Sequence, residues 1–191
     1  MIRNIVFDLG NVLVNVEYER FRQKILESGV PAEVYDNFFL GGNYRFLGYE
    51  SGEISTHEFV SKCIKGLGLK MTRSEYADAF NDMFSEIPAM SRVLRKLQSE
   101  EKYNLFLLSN TSPLHFEHIL GRFDYVGLIG KFGLSYELKS LKPEDAIYER
   151  AIEYLDIIPG ESLFIDDLEV NCMAAEKFGI KTIRYDKDDH N

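Results

Sequence analysis

The stretch NIVFDLGNVL, residues 4–13, places three consecutive apolar residues, Ile5, Val6 and Phe7, directly before an acid, Asp8. Val, Ile and Phe suit a pleated surface. An unbroken apolar run without polar alternation predicts a strand buried on both faces, as in a parallel sheet. Working outward, NLFLLSNT (104–111) ends Leu105 to Leu108 in Ser109 and Asn110, and SLFIDDLEVN (162–171) ends Leu163 to Ile165 in Asp166 and Asp167. Between them, SLKPEDAIY (140–148) presents Lys142 before Pro143. In a doubly wound α/β sheet, ligands bind outside the carboxyl ends of the strands, where strand order reverses. Asp8, Ser109, Asp166 and Asp167 should therefore meet at one sheet edge despite their separation along the chain.

The intervening sequence supports such a sheet. Strands are predicted at about 4–8, 104–108, 132–135, 163–166 and 181–185, with helices over 89–100, 114–121, from Pro143 through Leu155, and over 169–178. Residues 16–86 contain no comparable strand and read as a helical insert. Phe21, Ile25 and Leu26 recur at helical spacing before Gly29, and Pro31 suits the first turn of a second helix. Ser55 with Glu58, and Thr72 with Glu75, form capping-box patterns ahead of two more. The aromatic group Tyr35, Phe38, Phe39, Tyr44, Phe46 and Tyr49 suits a helical core whose edge lines a pocket, and Tyr18, Arg45 and Glu50 are candidate cleft residues. The expected division is a core of residues 1–15 and 87–191 with a separate helical lid over 16–86.

Composition narrows the function. Hydrophobic residues make up 45% of the 191-residue chain, enough for a packed core without staples. A formal net charge of −9, with no basic run or stripe, argues against a nucleic-acid partner. No apolar run approaches the ~20 residues of a membrane helix, and the amino terminus lacks the order of a signal peptide, so a cytoplasmic protein is expected. Cys63 and Cys172, each among apolar neighbours, read as buried thiols.

The polar residues at the strand ends suit phosphoryl chemistry. A carboxylate such as Asp8 can accept a phosphoryl group, splitting one hard step into two. Adjacent acids such as Asp166 and Asp167 repel unless a cation is near. Mg²⁺ is held by one or two carboxylates plus substrate phosphate, and Asp8 with Asp167 suits that pair. Ser109 and Asn110 offer hydroxyl, amide and N–H groups to phosphate oxygens, and Lys142 offers charge to a transferring phosphoryl group. Singly, each has a plainer reading: Asp8 as a turn residue, the acid pair as a helix start, Ser109–Asn110 as a helix cap, Lys142 as a surface lysine. His115 and His118 lack a third ligand for zinc, although His115 lies near enough to the Ser109 loop to be a candidate substrate contact.

In the order FDLGNVLV, LLSNT, LKPE, FIDDLEVN, these motifs resemble the haloacid dehalogenase-like hydrolase superfamily along the whole chain. The helical insert after the first motif resembles the first cap class of that superfamily. The resemblance implies a Rossmannoid core of strand order 5-4-1-2-3. It also implies Asp8 as nucleophile, Ser109 on the phosphate and Lys142 as stabilising cation. Asp8, the Gly10 carbonyl and Asp167 would be the Mg²⁺ ligands, with Asp166 and Asn171 close by. The subgroup with DLGNV and SNT is similar to bacterial sugar-phosphate phosphatases of the α-D-glucose-1-phosphate phosphatase type. The expected activity is Mg²⁺-dependent hydrolysis of a small phosphorylated metabolite. The alternatives are a catalytically silent ligand binder and a 2-haloacid dehalogenase-type hydrolase, although the dehalogenases usually carry an aromatic residue where this chain has Gly10. Most phosphatases of the superfamily carry a second Asp at that position to protonate the leaving group. Gly10 has no such group.

Overall fold

In the computed structural model, which describes residues 1–39, 48–187 and 189, the chain opens with β1 (Asn4–Phe7), buried along its whole length. A short strand, β2 (Val14–Val16), leads into α1 (Tyr18–Glu27), α2 (Ala32–Phe39), α3 (Thr56–Leu67) and α4 (Arg73–Asn81). β3 (Phe84–Glu86) returns antiparallel to β2, so a two-stranded ribbon closes the neck of the helical insert. This ribbon was not expected. Three residues per strand are too few to show alternation. Both capping boxes form: Ser55 and Thr72 accept from the N–H of Glu58 and Glu75, whose carboxylates bond back. Tyr44, Arg45 and Phe46 lie outside the described residues.

The remaining elements alternate: α5 (Pro88–Glu100), β4 (Asn104–Ser109), α6 (Pro113–Arg122), β5 (Lys131–Leu134), α7 (Ser135–Leu138), α8 (Asp145–Leu155), β6 (Ser162–Asp166), α9 (Glu169–Glu176) and β7 (Lys181–Arg184). Five strands pair in parallel in the order β5-β4-β1-β6-β7. Numbered along the chain, this is the expected 5-4-1-2-3 read from the opposite edge. Strand order reverses where β1 meets β6, with Phe7 beside Ile165, so the residues following those strands face a common crevice.

Side chains on these strands alternate between two apolar layers. Ile5, Phe7, Leu105 and Leu107 face one side, where α5, α6 and the insert pack. Val6, Leu108 and Phe164 face the other, covered by Ile147, Tyr148, Ala151 and Leu155 of α8 and by Ala174 and Ala175 of α9. The apolar interior of the insert is continuous with the first layer. The join is aromatic: Phe80 of α4 stacks on His115 of α6 with ring centroids 4.0 Å apart. Cys63 and Cys172 are buried free thiols, as expected. Among the described residues, no helix is long and apolar enough to cross a membrane.

Candidate active site

The centre of the site is Lys142, in the turn between α7 and α8. Its Nζ lies 2.8 Å from Asp8 Oδ1, just past β1, and 2.6 Å from Asp166 Oδ2, at the end of β6. All three residues are buried, Asp166 completely. A surface lysine is thereby excluded. Both carboxylates keep Lys142 charged: burial works against the ammonium, but the neighbouring Asp8 and Asp166 outweigh it and raise its pKa.

Asp166 is saturated with donors. Besides Lys142 it accepts from the Leu168 N–H at 2.9 Å and from Asn171 Nδ2 at 2.9 and 3.1 Å. Tyr148 fixes that segment in turn through a hydrogen bond to the Asn171 carbonyl. Asp8 is differently placed. Burial pushes its pKa from 3.8 up to about 6; Lys142 pulls it down and Asp166 pushes it up. Asp167, on the same edge, is also raised, by burial and by Asp166, while Asn11 donates to its Oδ2 at 3.4 Å. Oxygens of Asp8, Asp166 and Asp167 all lie within 4.8 Å of one another. Three carboxylates face one ammonium, and two of them are driven toward protonation. Hard oxygen donors with uncompensated negative charge fit Mg²⁺.

Ser109 is buried at the end of β4. Asn110 follows it, and its carboxamide is bonded to the Lys142 main chain. Gly10 sits two residues past Asp8, and a Cβ there would meet Val16 Cγ2 at 3.1 Å. Asn11, which sequence reading did not single out, adopts φ 55° and also accepts from the Val16 N–H. That backbone conformation favours Asn, but nothing in the sequence links it to Asp167.

A cleft of about 200 Å³ opens beside the carboxylates, its walls including Glu50, Ser51, Asn110, Lys142, Leu168 and Val170. Glu50 and Ser51 come from the insert, and their loop is fastened to the core. Ser135 donates to the Glu50 carbonyl at 2.7 Å, and Lys139 donates to the Gly52 carbonyl at 2.6 Å. Any side chain at Gly52 would meet the Tyr136 carbonyl, 2.2 Å from its Cβ. Of the expected cleft residues, Glu50 is in place. Tyr18 is exposed at the start of α1 and is not among these walls, and Arg45 lies outside the described residues. Tyr49 reaches the cleft while stacking on Phe59, 4.1 Å between centroids.

His115 does not join the site as a substrate contact. Its ring is packed between Phe80 and Phe84, and burial drives its pKa down to about 3, so it stays neutral.

The parallel sheet, its reversal of strand order and the carboxylate–lysine cluster at that point define a Rossmannoid hydrolase. More narrowly, the haloacid dehalogenase-like hydrolase profile matches residues 5–185, and the chain belongs to that family. It is 30% identical over 96% of its length to D-ribitol-5-phosphate phosphatase of Bacteroides thetaiotaomicron, covering 92% of that protein. A crystal structure of a family enzyme from the same organism, in complex with magnesium and inorganic phosphate, superposes with a TM-score of 0.87 at 33% identity, covering 99% of this chain and 96% of that one. A predicted family hydrolase from Porphyromonas gingivalis superposes at 0.82 with 33% identity, over 100% and 94% of the two chains.

Proposed function

We propose that this chain is a Mg²⁺-dependent phosphatase of a small sugar phosphate, working through an aspartyl-phosphate on Asp8. The observation that carries the reading is Lys142 bridging Asp8 and Asp166 beside Asp167. It is supported by the relatives that are named as a phosphatase and as a magnesium–phosphate complex. Asp8, Asp167 and the Gly10 carbonyl would hold the cation, while Asp166 is occupied by Asn171, Leu168 and Lys142. Bound there, a cation would neutralise charge that a phosphate dianion would otherwise meet.

In the first step an Asp8 oxygen attacks phosphorus, and the bond to the substrate oxygen breaks. Lys142 and Ser109 stabilise the phosphoryl oxygens during transfer. Gly10 supplies no side-chain acid, so the leaving oxygen takes its proton from water. A second water then attacks phosphorus, passing a proton to the hydroxide left by the first, and the P–O bond to Asp8 breaks, releasing inorganic phosphate and the Asp8 carboxylate. Residues 16–86 act as the cap over a core of residues 1–15 and 87–191, and Glu50 selects the substrate's polar end. The test is turnover of p-nitrophenyl phosphate and a panel of sugar and polyol phosphates with Mg²⁺. Hydrolysis of one class above the rest is expected. Binding of these ligands without turnover supports the silent-binder alternative and refutes the reading.

A further inference from the structure

Lys142 lies outside any helix or strand, so no ladder holds its main chain. Its N–H and C=O nevertheless both find partners, and one side chain supplies them. Asn110 Oδ1 accepts from the Lys142 N–H at 2.8 Å, and Asn110 Nδ2 donates to the Lys142 carbonyl at 2.9 Å, across 32 residues of sequence. A single bond would leave the peptide free to rotate about it; the pair fixes both position and orientation. The residue so held is the one whose Nζ must reach two carboxylates at 2.8 and 2.6 Å from the end of a flexible four-carbon stem.

We infer that Asn110 is a positioning residue for Lys142, fixing its main chain so that Nζ stays between Asp8 and Asp166, and that its amide does not serve as a phosphate ligand. The residue type is specific to this task. Asp accepts from the N–H but turns an oxygen toward the Lys142 carbonyl. Ala makes neither bond, and Gln adds a methylene that displaces both amide atoms from their partners. The inference rests on the chemical role given to Lys142 above.

The test joins a double-mutant cycle to amide exchange. With p-nitrophenyl phosphate and Mg²⁺, Asn110→Ala should lower kcat about 10- to 100-fold, since both bonds that hold the Lys142 main chain are lost. In a Lys142→Ala background the same change should cost less than about threefold, because no ammonium remains to be positioned. Losses that multiply mean a direct substrate contact and overturn the inference alone. Wild-type kcat in Lys142→Ala overturns the role of Lys142 instead. Hydrogen exchange of the Lys142 amide needs no turnover: it should speed up at least about tenfold in Asn110→Ala, with the β4 amides unchanged. Unchanged protection at Lys142 overturns the inference. Should Asn110→Ala not fold, Asn110→Asp replaces it. Its Lys142 amide should stay protected, and its loss of kcat should again disappear when Lys142 is Ala.

Discussion

Replacing Asp8 by Asn should abolish turnover and yet stabilise the metal-free protein. The side chain is buried, and burial raises its pKa from 3.8 to about 6. A pKa raised by folding means that the native state holds the proton more tightly than the unfolded chain. Relative to acid pH, native stability is then lost as pH rises from about 4 through about 6. At about 1.4 kcal/mol per pH unit, the cost reaches about 3 kcal/mol by pH 7.5 and is under about 1 kcal/mol at pH 4. Asn carries no proton to lose, and Lys142 retains Asp166 as a partner. In EDTA at pH 7.5, urea unfolding should show Asp8→Asn more stable than wild type by about 1–3 kcal/mol, with the gap closing at pH 4. The neutral, buried His115 titrates alike in both proteins and cancels. Adding Mg²⁺ should reverse the order, because it binds the native wild-type cluster more tightly than the variant. A variant equal to or weaker than wild type in EDTA at pH 7.5 would show that the Asp8 charge is already compensated. Wild-type kcat would remove the nucleophile assignment.

Four further outcomes can be checked by kinetics. Chelation should abolish phosphatase activity and Mg²⁺ restore it, with Ca²⁺ a poor substitute because its coordination is larger and looser. Asp167→Ala should raise the Mg²⁺ concentration needed far more than Asn171→Ala, whose amide is bonded to Asp166, and equal effects would exchange the ligand assignments. Glu50→Ala should reorder a panel of sugar and polyol phosphates while changing p-nitrophenyl phosphate turnover less than about threefold; a parallel loss on all substrates makes Glu50 structural. With Gly10 in place of an acid, anomeric and aryl phosphates should outpace primary-alcohol phosphates such as D-ribitol 5-phosphate, since positioned acid catalysis is worth about 10²–10⁴-fold. Gly10→Asp narrows that gap if Val16 yields by a few tenths of an ångström. Equal rates in the wild type would mean that another group supplies the proton. Glu50 on the cleft wall is then the first to substitute, since His115 is packed away between aromatic rings.

The strands were legible because a parallel strand buried on both faces leaves an unbroken apolar run, and Ile5 to Phe7, Leu105 to Leu108 and Leu163 to Ile165 are such runs. Two of the insert's helix starts were legible because a capping box is local chemistry, complete within four residues at Ser55–Glu58 and Thr72–Glu75. What escaped is what depends on distance. The β2–β3 ribbon pairs residues about seventy positions apart with only three residues a side. The fusion of the insert with the sheet's apolar layer depends on Phe80 meeting His115, and a histidine in a helix does not say whether it faces a substrate or a phenylalanine.

The same limit governs the polar residues that matter most. Position at a strand end follows from topology, so the gathering of Asp8, Ser109, Asp166 and Asp167 could be argued from order alone. The direction of each polar atom could not. Asn110 read as a group on the phosphate and Asn171 as a group beside the metal ligands, yet in the fold one is bonded to the main chain of Lys142 and the other to the carboxylate of Asp166. Each amide holds one end of the same bridge. Lys142 can lie between Asp8 and Asp166 with little freedom because its peptide is held from the β4 side and its carboxylate partner from the α9 side. Asp8, held by Lys142 and the Leu9 N–H, has fewer described donors than Asp166, which Lys142, Leu168 and Asn171 all hold.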